Sequence, residues 1–176
     1  MKSIKNIILA SSILILSAFT ISSSLNWTIS EGYEIKFSSS TGDPEGIFKT
    51  INGDIQFNEN DLASSKCDFK VDVNSINTGN GMQNKHAISA KWFDAEKYPN
   101  IEFKSSNFSK TETGYSVTGT MEMHGVDKEM TLPFTFSNNV FKSTFSVNRI
   151  DFNIGESMEK VSDDIKLEVS LPVTKK

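Results

Sequence analysis

The chain has 176 residues, with 18 lysines and arginines against 22 aspartates and glutamates and a formal net charge of −4. That balance argues against nucleic acid as a partner, because a phosphate backbone selects clustered positive charge. Cys67 is the only cysteine, which rules out an internal disulfide, and the length supports one domain with a substantial core rather than two.

Residues 1–24 differ in kind from the rest. Lys2 and Lys5 precede a stretch from Asn6 to Trp27 without a charge, the layout of a secretory signal peptide. Its apolar centre, residues 7–16, falls short of the roughly 20 residues that span a bilayer, so cleavage is expected and no stable membrane anchor. Ser17-Ala18 and Ser22-Ser23-Ser24 are the candidate cleavage positions. Cleavage removes two bases and no acid, taking the charge from −4 to −6. Residues 25–176 are then expected as one soluble domain, periplasmic or secreted.

Along that domain the dominant pattern has a period of two, which puts alternate side chains on opposite faces of a strand. Tyr33-Ile35-Phe37 opens it. Asn52-Gly53 reads as a tight hairpin joining 47–51 to 54–57. Cys67, Phe69, Val71 and Val73 alternate with Lys66, Asp68, Lys70 and Asp72, a setting that makes Cys67 a buried, inert thiol. Ser75 to Asn80 forms a polar lead-in to the one stretch suited to a helix, 80–94. Strands follow from Ile101-Phe103, from Tyr115-Val117-Gly119-Met121-Met123, and from Met130-Leu132-Phe134-Phe136. Phe141-Ser143-Phe145-Val147 and Ile165-Leu167-Val169-Leu171-Val173 complete the series. Thr113-Gly114 and Asn138-Asn139 mark reversals. Eight or so such strands, paired antiparallel, close into a barrel or stack as a sandwich, and periodicity does not separate the two.

Ser75-Ile76-Asn77-Thr78-Gly79-Asn80, His86, Trp92-Phe93-Asp94, Lys97-Tyr98-Pro99 and Ile101-Glu102-Phe103-Lys104-Ser105 occur in that order. Three further blocks follow: Gly119 through His124-Gly125-Val126 with Lys128, Asn148-Arg149-Ile150-Asp151-Phe152 with Ile154-Gly155, and Val161-Ser162-Asp163-Asp164. Together they closely resemble the YceI-like, polyisoprenoid-binding family over the whole mature chain. The resemblance implies an all-β fold, an antiparallel eight-stranded lipocalin-like barrel with a short helical insertion, enclosing a tunnel for a long isoprenoid. It favours barrel over sandwich. This chain departs from the family pattern at Asn84-Lys85, where an Arg-Asp pair is usual, and at Glu31-Gly32-Tyr33, which lacks a histidine. Asn153 stands where a glycine is usual. These departures bear on headgroup recognition more than on the barrel.

The candidate ligand-binding wall comprises Phe37, Phe69, Val71, Phe103, Met121, Met123, Phe134, Phe136 and Phe145. Met82, His86, Trp92 and Phe93 in the helical insertion form the candidate mouth. Aromatic and methionine side chains give a mouldable apolar wall, although by periodicity alone they serve a filled barrel equally well. His86 is open to two roles, hydrogen-bonding the carbonyl or hydroxyl end of a lipid or capping and packing its own loop, and His124 is placed to buttress a turn. The two lie far apart in sequence, without the three or four ligands a zinc site needs, so neither metal nor cofactor is expected. Asp151, Asp163 and Asp164 read as solvated turn residues rather than an acid–base pair. Arg149 is open to two roles, pairing with one of these acids or guarding a barrel mouth.

The function expected is non-enzymatic: binding, carriage or storage of a long-chain isoprenoid or other apolar lipid, each buried CH₂ contributing roughly 0.8 kcal/mol. A homodimer is compatible with the chain. The rival expectations are a filled-barrel interaction or stress-related module, and an enzyme with polar groups in the lumen.

Overall fold

The computed structural model describes residues 25–40, 44–157 and 161–176; the expected leader, 1–24, lies outside them. Alternation of wet and apolar side chains is realised as strands β1 (Asn26–Ile29), β2 (Glu34–Ser39), β3 (Glu45–Phe48), β4 (Ile51–Gln56), β5 (Lys66–Asp72) and β6 (Ile76–Asn77). Helix α1 (Gly81–Ala87) follows, then β7 (Asn100–Lys110), β8 (Tyr115–Met123), β9 (Val126–Ser137), β10 (Val140–Asn148) and β11 (Asp164–Lys175).

The strands pair antiparallel in the ring β1-β4-β5-β7-β8-β9-β10-β11, and β11 closes back on β1. Closure removes the open edges that a sheet of this size otherwise exposes. Strands β2, β3 and β6 continue β1, β4 and β5 beyond kinks. Thus the far end of β11 pairs with β1 at Ile29↔Val173, and its near half pairs with β2 from Ile165↔Ser39 to Ser170↔Glu34. The result is a closed eight-stranded antiparallel barrel with, among the described residues, one short α-helix.

Two turns form as their sequences require. Asn138 and Asn139 both adopt positive φ, 52° and 59°, the two-residue hairpin geometry whose twist matches the strands it joins. At the other reversal the Thr111 amide donates to the Gly114 carbonyl. The hairpin expected at Asn52-Gly53 does not form. Both residues lie inside β4, paired as Asn52↔Lys70 and Gly53↔Phe69. A side chain at Gly53 would place its Cβ 2.4 Å from the Asp68 carbonyl oxygen and 2.7 Å from Phe69 Cδ1, so glycine serves close approach here, not a turn. The chain reverses instead through residues 57–65, where Asp61 caps the short 3-10 turn Leu62–Ser64.

Aromatic rings seal one end of the barrel. The ring of Phe57, 1% exposed, meets Tyr115 at 5.2 Å, Phe134 at 5.5 Å, Phe136 at 5.3 Å and Phe141 at 5.3 Å between centroids, all edge-to-face. Such pairs add about 0.5–1.5 kcal/mol each beyond the area they bury. Trp27 packs on Phe136 and its indole Nε1 donates to the Phe57 carbonyl at 3.0 Å. At the opposite end lie α1, the turn at Gly125, and residues 149–157 and 161–163.

Candidate functional site

Above the aromatic floor the barrel encloses a cavity of about 450 Å³, within the range of small-molecule and cofactor sites. Why it stays hollow despite so many large side chains follows from three glycines on inward-facing positions. A Cβ at Gly46 would meet Phe37 Cζ at 2.7 Å, one at Gly53 would meet Phe69 Cδ1 at 2.7 Å, and one at Gly119 would meet Phe103 Cζ at 2.7 Å. Each phenylalanine therefore occupies the space over a neighbouring strand's glycine. The rings line the wall instead of projecting across the lumen.

Of the residues expected on the wall, Phe37, Phe69, Val71, Phe103, Met121 and Met123 border the cavity, as do Phe134 and Phe145. His86, Trp92 and Phe93 border it at the α1 end. Two do not. Met82 is 70% exposed, pointing to solvent from the first turn of α1. Phe136 packs among Trp27, Phe57 and Phe141 in the floor. The wall also takes in Phe48, Ile76, Ile101 and the β11 series Ile165, Leu167, Val169 and Leu171. That series carries the same alternation as the strands already assigned to the wall, so its signal was present in the sequence.

Helix α1 is positioned by Asn80, whose side chain accepts from the amides of Met82 and Gln83. Cap and kinked lead-in turn one face inward, so that Gln83, His86 and Ala87 edge the cavity beside Thr78. The Thr78 hydroxyl and amide are held by the Asn84 side chain at 2.9 Å each. Asn84, the departure noted above, thus pins the helix to its lead-in.

Arg149 is 4% exposed and takes the first of the two roles left open for it, pairing with Asp163 while also bordering the cavity. Its Nε donates to the Ser162 carbonyl at 3.0 Å, Nη1 to Ile154 at 2.8 Å, and Nη2 to Glu156, Val161 and the Asp163 carboxylate at 2.9 Å, 3.2 Å and 2.9 Å. The guanidinium also lies 5.3 Å from the Trp92 ring centroid, a cation–π contact. Asp163 is accordingly no solvated turn residue, since it also accepts from Ser157 at 2.6 Å. Asp151 pairs with Lys128 at 3.0 Å, and Asp164 accepts from Asn148 at 3.0 Å. Both remain exposed. His124 sits at positive φ beside Gly125, its Nδ1 3.1 Å from the Phe152 carbonyl.

Cys67 is buried and faces the cavity. Burial pushes its thiol up to about 12, against a smaller lowering by the Ser105 hydroxyl, so it is protonated and unreactive at neutral pH. Among the described residues no group of three or more His, Cys, Asp or Glu side chains could hold a metal ion.

The YceI-like domain family matches residues 22–173. A UPF0312 protein of Yersinia enterocolitica is 26% identical over 136 residues, covering 72% of this chain and 71% of that protein, and protein YceI of Salmonella arizonae matches to the same extent. Among solved structures, Burkholderia cenocepacia BcnA superposes with a TM-score of 0.77 at 25% identity, over 84% of this chain and 99% of that one. A polyisoprenoid binding domain from Saccharophagus degradans shares the fold, with a TM-score of 0.57 at 14% identity over 87% of this chain and 98% of its own.

Proposed function

The chain belongs to the YceI-like domain family, and on that premise we propose that it is a binding protein whose lumen takes up the chain of a long isoprenoid or similar apolar lipid, for carriage or storage. The observation that carries this reading is the cavity of about 450 Å³, apolar from the aromatic floor to α1. Burial alone drives such binding, at roughly 0.8 kcal/mol per CH₂ before the cost of ordering the chain. The polar end of the lipid lies at α1, where His86 and Gln83 supply hydrogen-bonding groups. Arg149 is spent on its own loop and offers little to an anionic headgroup. The same fold in a polyisoprenoid binding domain adds support. In this proposal residues 1–24 direct export and the domain works in the periplasm or outside the cell.

The test is native mass spectrometry of the protein purified without detergent from a bacterial periplasm, followed by solvent extraction. A prenyl lipid held at one per chain and released on denaturation is the expected result. An empty chain that gains no thermal stability from added prenols or quinones would overturn the reading in favour of an interaction module without a lipid.

A further inference from the structure

Strands β9 and β10 have 12 and 9 residues, yet they pair at only three positions, Val140↔Ser137, Phe141↔Phe136 and Lys142↔Thr135. Their other neighbours are matched over nine positions each, β9 by β8 and β10 by β11. Pairing stops where Pro133 offers no amide hydrogen, and the Ser143 hydroxyl donates to the Pro133 carbonyl at 2.6 Å. Above that point the strands run on unpaired to the far end. There the Lys128–Asp151 ion pair, and the contact of His124 Nδ1 with the Phe152 carbonyl, tie the start of β9 to the segment that follows β10. The wall is thus unpaired along its middle and fastened at both ends. Lys142, an exposed residue whose parity on β10 turns it outward, borders the same cavity as Ser143 and Phe145, so the lumen reaches this seam.

Along it the outward side chains are Asp127, Glu129, Thr131 and Pro133 on β9 and Thr144 and Ser146 on β10, with Lys142 at its lower end. Among the described residues no ion pair joins β9 to β10 across this stretch, whereas Lys70–Glu102 joins β5 to β7. The aromatic floor blocks passage at one end. At the other, Arg149 and α1 border the cavity, and a long chain entering there threads end-first past them. A lateral opening admits the same chain sideways, without breaking any β9–β10 backbone pairs of the ladder.

Resting on the lipid-binding reading, we propose that the unpaired stretch between β9 and β10 is a lateral portal through which the apolar chain enters and leaves the lumen. Thr144→Cys and Lys85→Cys, each in a Cys67→Ser background, place a single thiol at the seam or on the exposed side of α1. Each is coupled to a bulky polyethylene-glycol maleimide, and exchange of a dansyl-tagged farnesol is followed by stopped-flow fluorescence. Capping position 144 should slow association and dissociation together at least tenfold, leaving the equilibrium constant within twofold, while capping position 85 changes either rate less than twofold. Equal slowing at both positions, or slowing at 85 alone, would overturn the portal while leaving lipid binding intact. No binding of the probe by the unlabelled protein would overturn the lipid reading, and the portal with it.

Discussion

A thiol facing an apolar lumen ties the stability of this barrel to alkaline pH. The Cys67 thiol is raised from an ordinary 9.0 to about 12 in the folded chain, burial being the main cause. Its contribution is therefore present in full below pH 9. Between pH 9 and about 12 the unfolded chain releases the proton while the folded chain keeps it, so stability falls by about 1.4 kcal/mol per pH unit. Denaturant unfolding from pH 8 to 11 should show a shallower decline for Cys67→Ala than for the parent; parallel curves would mean the thiol is not shielded as described. Arg149 contributes at every pH. Arg149→Met leaves four carbonyls without this donor and the half-exposed Asp163 carboxylate with Ser157 alone, an expected cost of about 3 kcal/mol. Urea unfolding should register that loss. Arg149→Lys should restore only part of it, because one ammonium with three donors cannot reach acceptors spread around a planar fork.

At the scale of elements, the inward glycines decide whether the barrel is hollow. Gly53→Ala drives a methyl group against the Asp68 carbonyl and the Phe69 ring; the expected cost is about 1–3 kcal/mol, together with a displaced Phe69. If Asn52-Gly53 were a hairpin turn, the substitution would instead disturb only an exposed loop, so the size of the urea-midpoint shift discriminates the two. Asn-Gly has two uses, positive φ or close approach, and the dipeptide alone does not distinguish them. Most strands were legible, since Cys67-Phe69-Val71 and Ile165 through Val173 keep strict alternation. In strand β7 the alternation is legible only around Ile101 and Phe103, because the irregularity between Ser105 and Asn107 shifts the period and returns Phe108 to the inside one residue late. Met82 shares the helical insertion with His86, but α1 runs only seven residues and its start points to solvent.

For the whole molecule, ring closure and the empty centre were the features least visible in the residues. Closure depends on β1 and β2 sharing one edge of β11 across a kink, a long-range register that no local pattern encodes. Family resemblance supplied the barrel, and the glycine–phenylalanine register explains the void. That void makes a quantitative prediction about chain length. With a practical yield of about 0.3 kcal/mol per heavy atom, each five-carbon isoprene unit entering the lumen adds about 1.5 kcal/mol, or roughly tenfold in Kd. Because the ring cluster around Phe57 closes the floor, the gain should continue from geraniol to farnesol to longer prenols and then level off when the chain outgrows the barrel. Val117 borders the deep part of the cavity and pairs across to Phe108 and Leu132, so Val117→Phe shortens the usable depth. The variant should bind geraniol nearly as the parent does and reach its plateau at least one isoprene unit sooner, read by calorimetric titration of the same prenol series. A plateau unchanged by Val117→Phe would place the chain elsewhere than along the barrel axis, and affinity flat from geraniol upward would mean that only the polar end is recognised.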